Sequence, residues 1–382
     1  MKRNFKIKKE RIRTITSDGI SKVYKNLLFI TFILMLVYFS GCSDEISSID
    51  IDQSLSKQES EEKNIVASVM PHNLVVWGDD TFGQVSNAPS GKFKALDDGG
   101  SFKSLALRWD NTPILWGFGP FGPPVNIEII DDEKFHEIAI GLNDAVLIRQ
   151  NYTLAAIGTN ELVTNVPLGY YNAVAVGAVH AVAIAADGTL TAWGSDSYLA
   201  TYGLVTGLLN APKGGPFISV KARVICSLAL HEDGTLYGWG HPAHGVNILE
   251  GWKSTLEDQD IYYVPDEKFK SIAIGNIHAL GIRSNGTVTG WGYGRGGALN
   301  APSHVRFKEV AAGWGFSIGL STDGTLWGWG TPFKNPFATE AWTFASQGWT
   351  RYNNTENFYV PDKRFSSISA AAFHISAITK GN

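Results

Sequence analysis

The sequence predicts an all-β chain folded as a seven-bladed β-propeller, closed by pairing of its N- and C-terminal strands. The first observation is a hairpin pattern, clearest in Ser227 to Gly240, where two β-prone runs flank Asp233-Gly234 and the second run ends in Trp239-Gly240. Asp-Gly is a strong hairpin signal, because a two-residue type I′ turn needs positive φ at both positions. The second observation is that this hairpin recurs, and the third is that the two ends of the chain complement each other.

The recurrence has a period suited to propeller blades. The hairpin ends, most of them Trp-Gly, are spaced by 39, 41, 36, 46, 52 and 38 residues, and they fall at Trp77, Trp116, Ile157, Trp193, Trp239, Trp291 and Trp329. Each hairpin is preceded by an aromatic residue, then an aliphatic residue three positions later and usually a glycine three further on. These aromatic starts are Phe93, Phe135, Tyr171, Phe217, Phe269, Phe307 and Phe365. A period near 40 with β patterning predicts one repeat per blade.

The two ends of the repeat region each lack what the other supplies. Leu74 to Gly78 is a lone Trp-Gly strand, whereas Phe365 to Thr379 is a repeat without one. Pairing them gives one composite blade and leaves no open sheet edge. The predicted propeller therefore covers residues 73–382.

The first 72 residues are predicted to lie outside the propeller. A Lys- and Arg-rich segment precedes Leu27 to Ser40, an apolar run of fourteen residues that suits a signal peptide better than a bilayer span. Phe39 to Cys42 resembles a bacterial lipobox, in which the cysteine is lipidated. We therefore expect a lipoprotein signal peptide over residues 1–41, a lipid on Cys42 and a disordered acidic tether over 42–72. The alternative is an uncleaved anchor with an incidental cysteine.

Charge and cysteine usage limit the partners. The net charge is −4, and without residues 1–41 the chain keeps 23 basic and 34 acidic residues, a net charge of about −11. A basic face for nucleic acid is therefore not expected. With Cys42 lipidated, Cys226 is left without a disulfide partner, so an exported domain must be held by its core and by ring closure.

The segments that join one repeat to the next occupy the same place in every repeat, so they should emerge on one face. Three are long, 195–216, 241–268 and 331–364, and the last two end in a related Tyr-Val-Pro-Asp motif. These two are expected to be neighbours in the ring, since blades follow chain order. Loop tryptophans and tyrosines are typical binding anchors. The candidate partner-binding residues are Trp252, Trp342, Phe344, Trp349 and Tyr352, bordered by Asp79, Asp80 and Phe82. The alternative is that these rings pack among themselves.

One repeat position gathers residue types that could bind a metal or catalyse a reaction. It holds Lys103, Asp144, His180, Cys226, His278, Phe316 and His374 and was expected to lie near the axis. The favoured interpretation is structural, since each blade needs a side chain that satisfies local backbone groups. The sequence contains no phosphate loop, His-Glu-x-x-His helix or nucleophile elbow. We therefore expect neither a metal, a cofactor nor enzymatic activity.

The repeat resembles the regulator of chromosome condensation repeat family over residues 74–380. Gly177 to Ala181 and Gly275 to Ala279 carry that family's Gly-x-x-His start, and Trp77 to Gln84 carries its Trp-Gly-x-x-x-x-Gly-Gln segment. With its export signal, the chain looks most similar to a secreted bacterial branch that includes propeller-type β-lactamase inhibitory proteins.

That resemblance implies a function as well as a fold. It implies a monomeric lipoprotein of the bacterial cell envelope, on the periplasmic or extracellular face, that binds an unknown protein through aromatic loops on one face. A glycan-binding or polysaccharide-active propeller with an axial site remains the alternative. The guanine-nucleotide exchange activity of eukaryotic members is not carried over, because the repeat Phe135 to Gly158 is too short to hold their wedge.

Overall fold

The structure, a computed structural model of the chain, describes residues 68–69, 73–99, 102–117, 127–128, 133–142, 144–158, 161–196, 207–240, 253–254, 261–263, 265, 267–292, 294–330 and 363–380. Within these ranges the chain forms seven antiparallel sheets. No helix in the described ranges has the length and apolar character needed to cross a membrane. The predicted all-β propeller is confirmed.

The strands follow the predicted repeat, and each sheet is one blade. The described chain opens with β1 (Ser68–Val69) and β2 (Leu74–Gly78). Blade 1 then holds β3 (Phe93–Gly99), β4 (Lys103–Arg108), β5 (Pro113–Trp116) and β6 (Ile127–Glu128); blade 2 holds β7 (Phe135–Ile140), β8 (Ala145–Arg149) and β9 (Leu154–Ile157). After the short helix α1 (Glu161–Thr164), blade 3 holds β10 (Tyr171–Val176), β11 (His180–Ala185) and β12 (Leu190–Gly194).

The remaining blades repeat this order. Blade 4 holds β13 (Phe217–Arg223), β14 (Cys226–His231) and β15 (Leu236–Gly240), extended outward by β16 (Lys253–Ser254) and β17 (Ile261–Tyr263). Blade 5 holds β18 (Phe269–Ile274), β19 (His278–Arg283) and β20 (Val288–Gly292). After a 3₁₀ turn (Arg295–Gly297), blade 6 holds β21 (Phe307–Ala312), β22 (Phe316–Ser321) and β23 (Leu326–Gly330), and blade 7 holds β24 (Phe365–Ala370) and β25 (His374–Thr379).

Blade 7 is completed by the N-terminal strand, as the sequence predicts. Strand β2 pairs antiparallel with β25, with Val75 opposite Ala377 and Trp77 opposite Ile375. The first strands of the blades contact one another in chain order, and β24 of blade 7 contacts β3 of blade 1. The ring is therefore closed by hydrogen bonds between the two ends of the described chain.

The core is divided among the joints between blades. Seven apolar clusters are present, and each is built from residues of adjacent blades; one joins Trp77 and Phe365 of blade 7 to Phe316 of blade 6. The aromatic starts are buried within these clusters, because a large ring there covers the neighbouring sheet. The repeated aromatic residue is thus the residue that packs one blade on the next.

The hairpin turns differ from the predicted two-residue type I′ form. In the turn Ala185 to Thr189, only Gly188 has positive φ, +83°, while Asp187 Oδ1 accepts the Thr189 amide at 3.0 Å. The Gly188 amide also donates to Ala185 O, which gives a type I turn followed by a left-handed residue. The side-chain acceptor makes this longer turn favourable, and a second positive φ is unnecessary.

Two hairpins have no glycine in the turn, that of blade 1 and that of blade 2, yet they keep the same turn. Asn111 and Tyr152 adopt φ of 70° and 67° in place of glycine. Their amides donate to Arg108 O and Arg149 O, as the glycine amides do in the other blades. Asn151, rather than Gln150, therefore occupies the aspartate position of the second hairpin, where it accepts the Thr153 amide.

Candidate functional site

The repeat position with three histidines lies at the joints between blades, where it links adjacent second strands. His180 of blade 3 contacts Ser227 of blade 4, with Nε2 and Oγ 2.7 Å apart. The same contact joins His278 to Ser317 at 2.8 Å. His374 of blade 7 meets Ser104 of blade 1 at 2.6 Å, so this contact also bridges the ring closure.

The serine accompanies the histidine at every joint. The other four blades hold Lys103, Asp144, Cys226 or Phe316 in place of histidine. In the blade that follows each of them, the residue that corresponds to the serine is apolar: Ala145, Ala181, Ala279 and Ile375, respectively. A buried histidine needs a hydrogen-bond partner, and the serine of the next blade supplies it. The structural interpretation of these histidines is therefore supported.

Two of these histidines, His180 and His278, are held neutral. Burial lowers the pKa of His180 to about 4 and that of His278 to about 3, the latter also through the charge of Arg223. Ser317 Oγ donates to Ala298 O at 2.8 Å, so it must accept from His278 Nε2–H, which assigns the tautomer. A neutral ring that donates through Nε2 links two blades but offers no accessible base.

The closing joint contains serine, histidine and aspartate, but not in a catalytic arrangement. His374 Nε2 is 2.6 Å from Ser104 Oγ and 3.6 Å from Asp98 Oδ1, so both partners face one ring nitrogen. In a catalytic triad the acid and the nucleophile contact opposite nitrogens. Asp98 also accepts from Ser376 Oγ at 3.0 Å, and its amide donates to Ser369 Oγ, so the cluster holds blade 7 to blade 1. Among the described residues, no group of three or more His, Cys, Asp or Glu is arranged to hold a metal.

The inner strands carry a second set of links, made by carboxylates. Asp97 Oδ2 accepts the Ile140 amide of blade 2 at 2.7 Å. Glu137 of blade 2 accepts the Val174 amide of blade 3 at 3.2 Å, and Glu309 of blade 6 accepts the Ile368 amide of blade 7 at 3.3 Å.

The same carboxylates surround one lysine. Burial raises the pKa of Asp97, Glu137 and Glu309, and the charge of Lys221 in blade 4 opposes the shift at each. Lys221 therefore acts electrostatically on carboxyl groups of three other blades. This axial cluster is the structural counterpart of the axial site considered from the sequence.

Arg223 crosses the ring at one end of the axis. The repeat has glycine at this position in most blades, and the glycines allow close approach: a Cβ on Gly141 would lie 2.0 Å from Gly177 O. In blade 4 the position is Arg223, whose guanidinium donates to Asp98 O at 2.9 Å, Ala370 O at 3.0 Å and Asn276 Oδ1 at 3.1 Å. One buried side chain thus ties blade 4 to blades 1, 5 and 7. Sequence reasoning missed it, although a lone arginine at a glycine position was the available signal.

We call the face where the third strands end the Trp-Gly face; there the structure places Asp79, Asp80 and Phe82 together. Asp79 is fully buried and its Oδ1 accepts the Thr81 amide at 2.6 Å, so its side chain supports the loop. Asp80 is exposed, and its Oδ1 accepts the amides of Val85 and Ser86. Of the three, Asp80 and Phe82 are the ones that reach the surface.

Phe82 begins a row of aromatic rings across three blades. It meets Phe102 of blade 1 edge-on with centroids 4.7 Å apart, and Phe102 stacks on Phe373 of blade 7 at 5.6 Å. Trp314 of blade 6 continues the row at 5.3 Å from Phe373. Phe82, Phe102 and Trp314 are partly exposed, whereas Phe373 is buried. We call these four residues the aromatic row.

The other candidate residues lie outside the described ranges: Cys42, Trp252, Trp342, Phe344, Trp349 and Tyr352. The ring order nevertheless corrects one expectation about their connections. Segment 241–268 enters blade 5 and segment 331–364 enters blade 7, so blade 6 lies between them. They are not neighbours in the ring, because the short connection 293–306 separates them.

The opposite face, formed by the turns between second and third strands and the starts of the first strands, is here called the hairpin face. Its exposed acids are Asp110, Asp187, Glu232, Asp233 and Asp323. Its exposed bases are Lys92, Lys94, Lys134, Lys268, Lys270, Arg306, Lys308, Arg364 and Lys380. Among the described residues, the exposed bases of this face outnumber its exposed acids, although the chain as a whole is negative.

The hairpin face also holds the large apolar side chains that the described ranges expose. These are Trp109, Tyr152, Leu168, Tyr170 and Ile218, with exposed fractions from 50% for Tyr152 to 100% for Leu168. They lie in the turns of blades 1 and 2 and at the starts of the first strands of blades 3 and 4. The composition and charge arguments from the sequence did not reveal this face, because averaging over the chain hides it.

A family model and two curated relatives match parts of the chain. The model of the "Regulator of chromosome condensation (RCC1) repeat" matches residues 307–334, the segment of blade 6. The mitochondrial RCC1 domain-containing protein RUG3 of Arabidopsis thaliana is 27% identical over 53% of this chain and 43% of its own length. The ultraviolet-B receptor UVR8 of the same plant is 22% identical over 56% of each chain. The chain thus spans about half the length of these relatives.

Solved structures support the fold across most of the chain. Human WBSCR16 superposes with a TM-score of 0.60 at 15% identity, covering 81% of this chain and 99% of that one. Prp20p of Saccharomyces cerevisiae gives 0.61 at 15% identity, covering 83% and 93%. These similarities support the resemblance to the RCC1 repeat family. They leave the secreted bacterial branch and the likeness to β-lactamase inhibitors as predictions.

Proposed function

We propose that this protein is a binding propeller that recognises a protein partner through its Trp-Gly face. The fold is one that related proteins use for protein recognition: the structure report on Prp20p describes its binding to Gsp1p and histones, and another structure holds the yeast protein bound to Kap60. Neither partner is transferred to this chain, since identity at this level supports the fold alone. The partner is a protein whose identity is open.

The aromatic row is the observation that carries the proposal. Its three partly exposed rings are linked through buried Phe373, and they sit on a closed ring of blades. Aromatic anchors that are already ordered bind with little loss of conformational entropy. The long connection 331–364, which carries Trp342, Phe344, Trp349 and Tyr352, leaves blade 6 at Gly330 on this face.

An axial carbohydrate site is the second candidate. Raised carboxyl pKa values are typical of general acids, and the axial cluster contains three such carboxyl groups. Each of them, however, is engaged with a backbone amide of the next blade, and Arg223 spans one end of the axis. Turnover of any glycan in a polysaccharide panel, abolished by Glu137→Gln, would favour this candidate over the first.

Partner capture tests the primary proposal. The protein is used to isolate surface-exposed binding proteins in the presence of a metal chelator, and the affinity of the identified partner is then measured for single variants. We expect Trp314→Ala, Trp342→Ala, Trp349→Ala or Trp252→Ala to weaken binding at least about tenfold with little change in melting temperature, because truncating a central anchor often costs about 2 kcal/mol.

The control is Trp109→Ala, which removes an exposed tryptophan of the hairpin face. It should leave affinity for the partner unchanged. If the four tryptophan variants instead unfold while their folded fraction binds normally, these rings are loop core and the binding surface lies elsewhere.

The lipid anchor is a separate part of the proposal. A lipid on Cys42 would hold the propeller on the periplasmic or extracellular face of a bacterial envelope, and a multiply acylated cysteine anchors stably. Mass spectrometry of the mature N-terminus tests this directly. An acylated Cys42 at the first position is expected, whereas an unmodified Cys42 or a retained Met1 would rule it out.

A further inference from the structure

The hairpin face combines two kinds of side chain that rarely share one surface. Exposed lysines lie at the starts of the first strands of blades 1, 2, 5 and 6, among them Lys92, Lys270 and Lys308. In the same layer, Trp109 is 65% exposed, Tyr170 65% and Leu168 100%. Exposed apolar groups clustered on one face of a soluble protein mark an interaction site, and the lysines specify the charge of the partner.

Part of the charge is paired with acids of the same face, and part of it is left over among the described residues. Asp233 and Asp323 contact Lys268 and Arg364. Lys92, Lys270 and Lys308 have no ion-pair partner among the described residues. Because charges separated by more than about 10 Å are screened at ordinary salt, the excess of acids elsewhere in the chain does not cancel this face.

We propose that the hairpin face docks on an anionic phospholipid bilayer. Tryptophan and tyrosine prefer the boundary between headgroups and acyl chains, and lysines beside them bind anionic headgroups. Leu168 is fully exposed and Ile218 is half-exposed. Binding to a nucleic acid or a polysaccharide would not bury these apolar side chains favourably, whereas insertion below the lipid headgroups would remove them from water and lower the free energy. The mixture therefore fits a membrane better than a soluble polyanion.

Docking in this manner sets the orientation of the protein. The segment between Cys42 and Asn73 can span at most about 100 Å, so its length alone allows either face to reach the membrane. The surface chemistry selects the hairpin face, which leaves the aromatic row pointing away from the bilayer. The proposed partner site lies on the opposite face, so either proposal can fail without the other.

A label that reports its surroundings tests the docking in the full chain. An environment-sensitive fluorophore is placed at Ile218→Cys on the hairpin face or at Thr81→Cys on the Trp-Gly face, both in a Cys42→Ser background. Cys226 stays unlabelled, since burial raises the pKa of its thiol to about 12. The apolar run 27–40 is expected to recruit every variant to vesicles, so docking is read from the label and not from the bound fraction.

With vesicles containing phosphatidylglycerol, the Ile218→Cys label should shift to the blue and the Thr81→Cys label should not. The shift should be absent with pure phosphatidylcholine and should weaken as salt rises. Combining Lys92→Glu, Lys270→Glu and Lys308→Glu should lower the docked-to-undocked ratio at least about tenfold. The matched control, Asp187→Asn with Glu232→Gln, removes two acids of the same face and should maintain or raise that ratio.

Three outcomes would overturn the proposal. One is an equal response of both labels, and another is an Ile218→Cys shift of the same size in phosphatidylcholine, which would assign the shift to recruitment alone. The third concerns the occupant: if Trp109→Ala with Tyr170→Ala leaves docking unchanged and heparin binds as tightly as the vesicles, the face binds a soluble polyanion.

Discussion

The joints of this ring are of two kinds. Three carry a buried histidine–serine hydrogen bond, at His180–Ser227, His278–Ser317 and His374–Ser104. The other four place Lys103, Asp144, Cys226 or Phe316 opposite an apolar residue. Both kinds of joint bury an aromatic start, so the polar link is an addition to a core that already closes the ring. Histidine and serine occur together at the three joints, because the buried histidine without the serine would lack its hydrogen-bond partner.

The closing joint should give the largest effect when it is broken. Deleting residues 365–382 removes β24 and β25, including His374, and exposes the edges of blades 1 and 6. We expect the loss of most of the stability of the domain, about 5 kcal/mol or more, measured as the loss of a cooperative thermal transition. Deleting residues 381–382 alone is the control. A truncated chain that melts within a few degrees of the full chain would contradict closure by the two ends.

The axial arginine should come next. Arg223→Leu leaves Asp98 O, Ala370 O and Asn276 Oδ1 without their donor at a buried position. We expect a loss of about 2–4 kcal/mol in chemical denaturation. The matched control is Lys270→Met on the first strand of blade 5, where the lysine is exposed, has no ion-pair partner among the described residues and should contribute less than about 1 kcal/mol. Equal losses would show that the cation matters through charge and not through its bonds.

Acid should weaken the histidine joints selectively. The folded pKa of His278, about 3, lies below the ordinary 6.5, so the unfolded chain binds more protons between these values. The contribution is therefore complete above pH 6.5 and decreases as the pH falls toward 3, by on the order of 2 kcal/mol at pH 5.

Carboxyl groups also change protonation in this pH range and alter the stability of the protein. The effect of His278 is therefore obtained by comparing the pH dependence of stability in the wild type and in a variant without this histidine. His278→Phe, which copies the residue at Phe316, should lose less stability than the wild type between pH 7.5 and pH 5. Denaturant melts at the two pH values measure the difference. Parallel pH profiles for the two proteins would show that His278 is not the group responsible.

The histidine–serine bond itself should be the smallest of these effects. A double-mutant cycle with His278→Phe and Ser317→Ala should give a coupling of about 1 kcal/mol. The equivalent cycle at an apolar joint, Cys226→Ser with Ala279→Gly, should show coupling near zero. Similar coupling at both joints would mean that the hydrogen bond adds nothing beyond packing.

The repeat determined most of the architecture. Aromatic starts, Trp-Gly ends and their period near 40 residues predict the blades, and the incomplete repeats at Leu74 and Phe365 predict how the ring closes. These features are local or periodic, so they can be read without knowing which residues meet in space. The turn type was wrong in detail because Asp187 stabilises a longer turn by accepting a backbone amide, and propensity alone does not distinguish the two.

Only the tertiary structure decided which residues act together. Ser104 and His374 are separated by almost the whole chain yet meet at 2.6 Å, and Arg223 bonds to blades on both sides of the closure. The hairpin face likewise gathers lysines and apolar side chains from every part of the sequence into one layer. Such groupings depend on ring closure, because closure places repeats that are distant in the sequence side by side. A local or periodic sequence pattern does not show which residues of distant repeats come into contact.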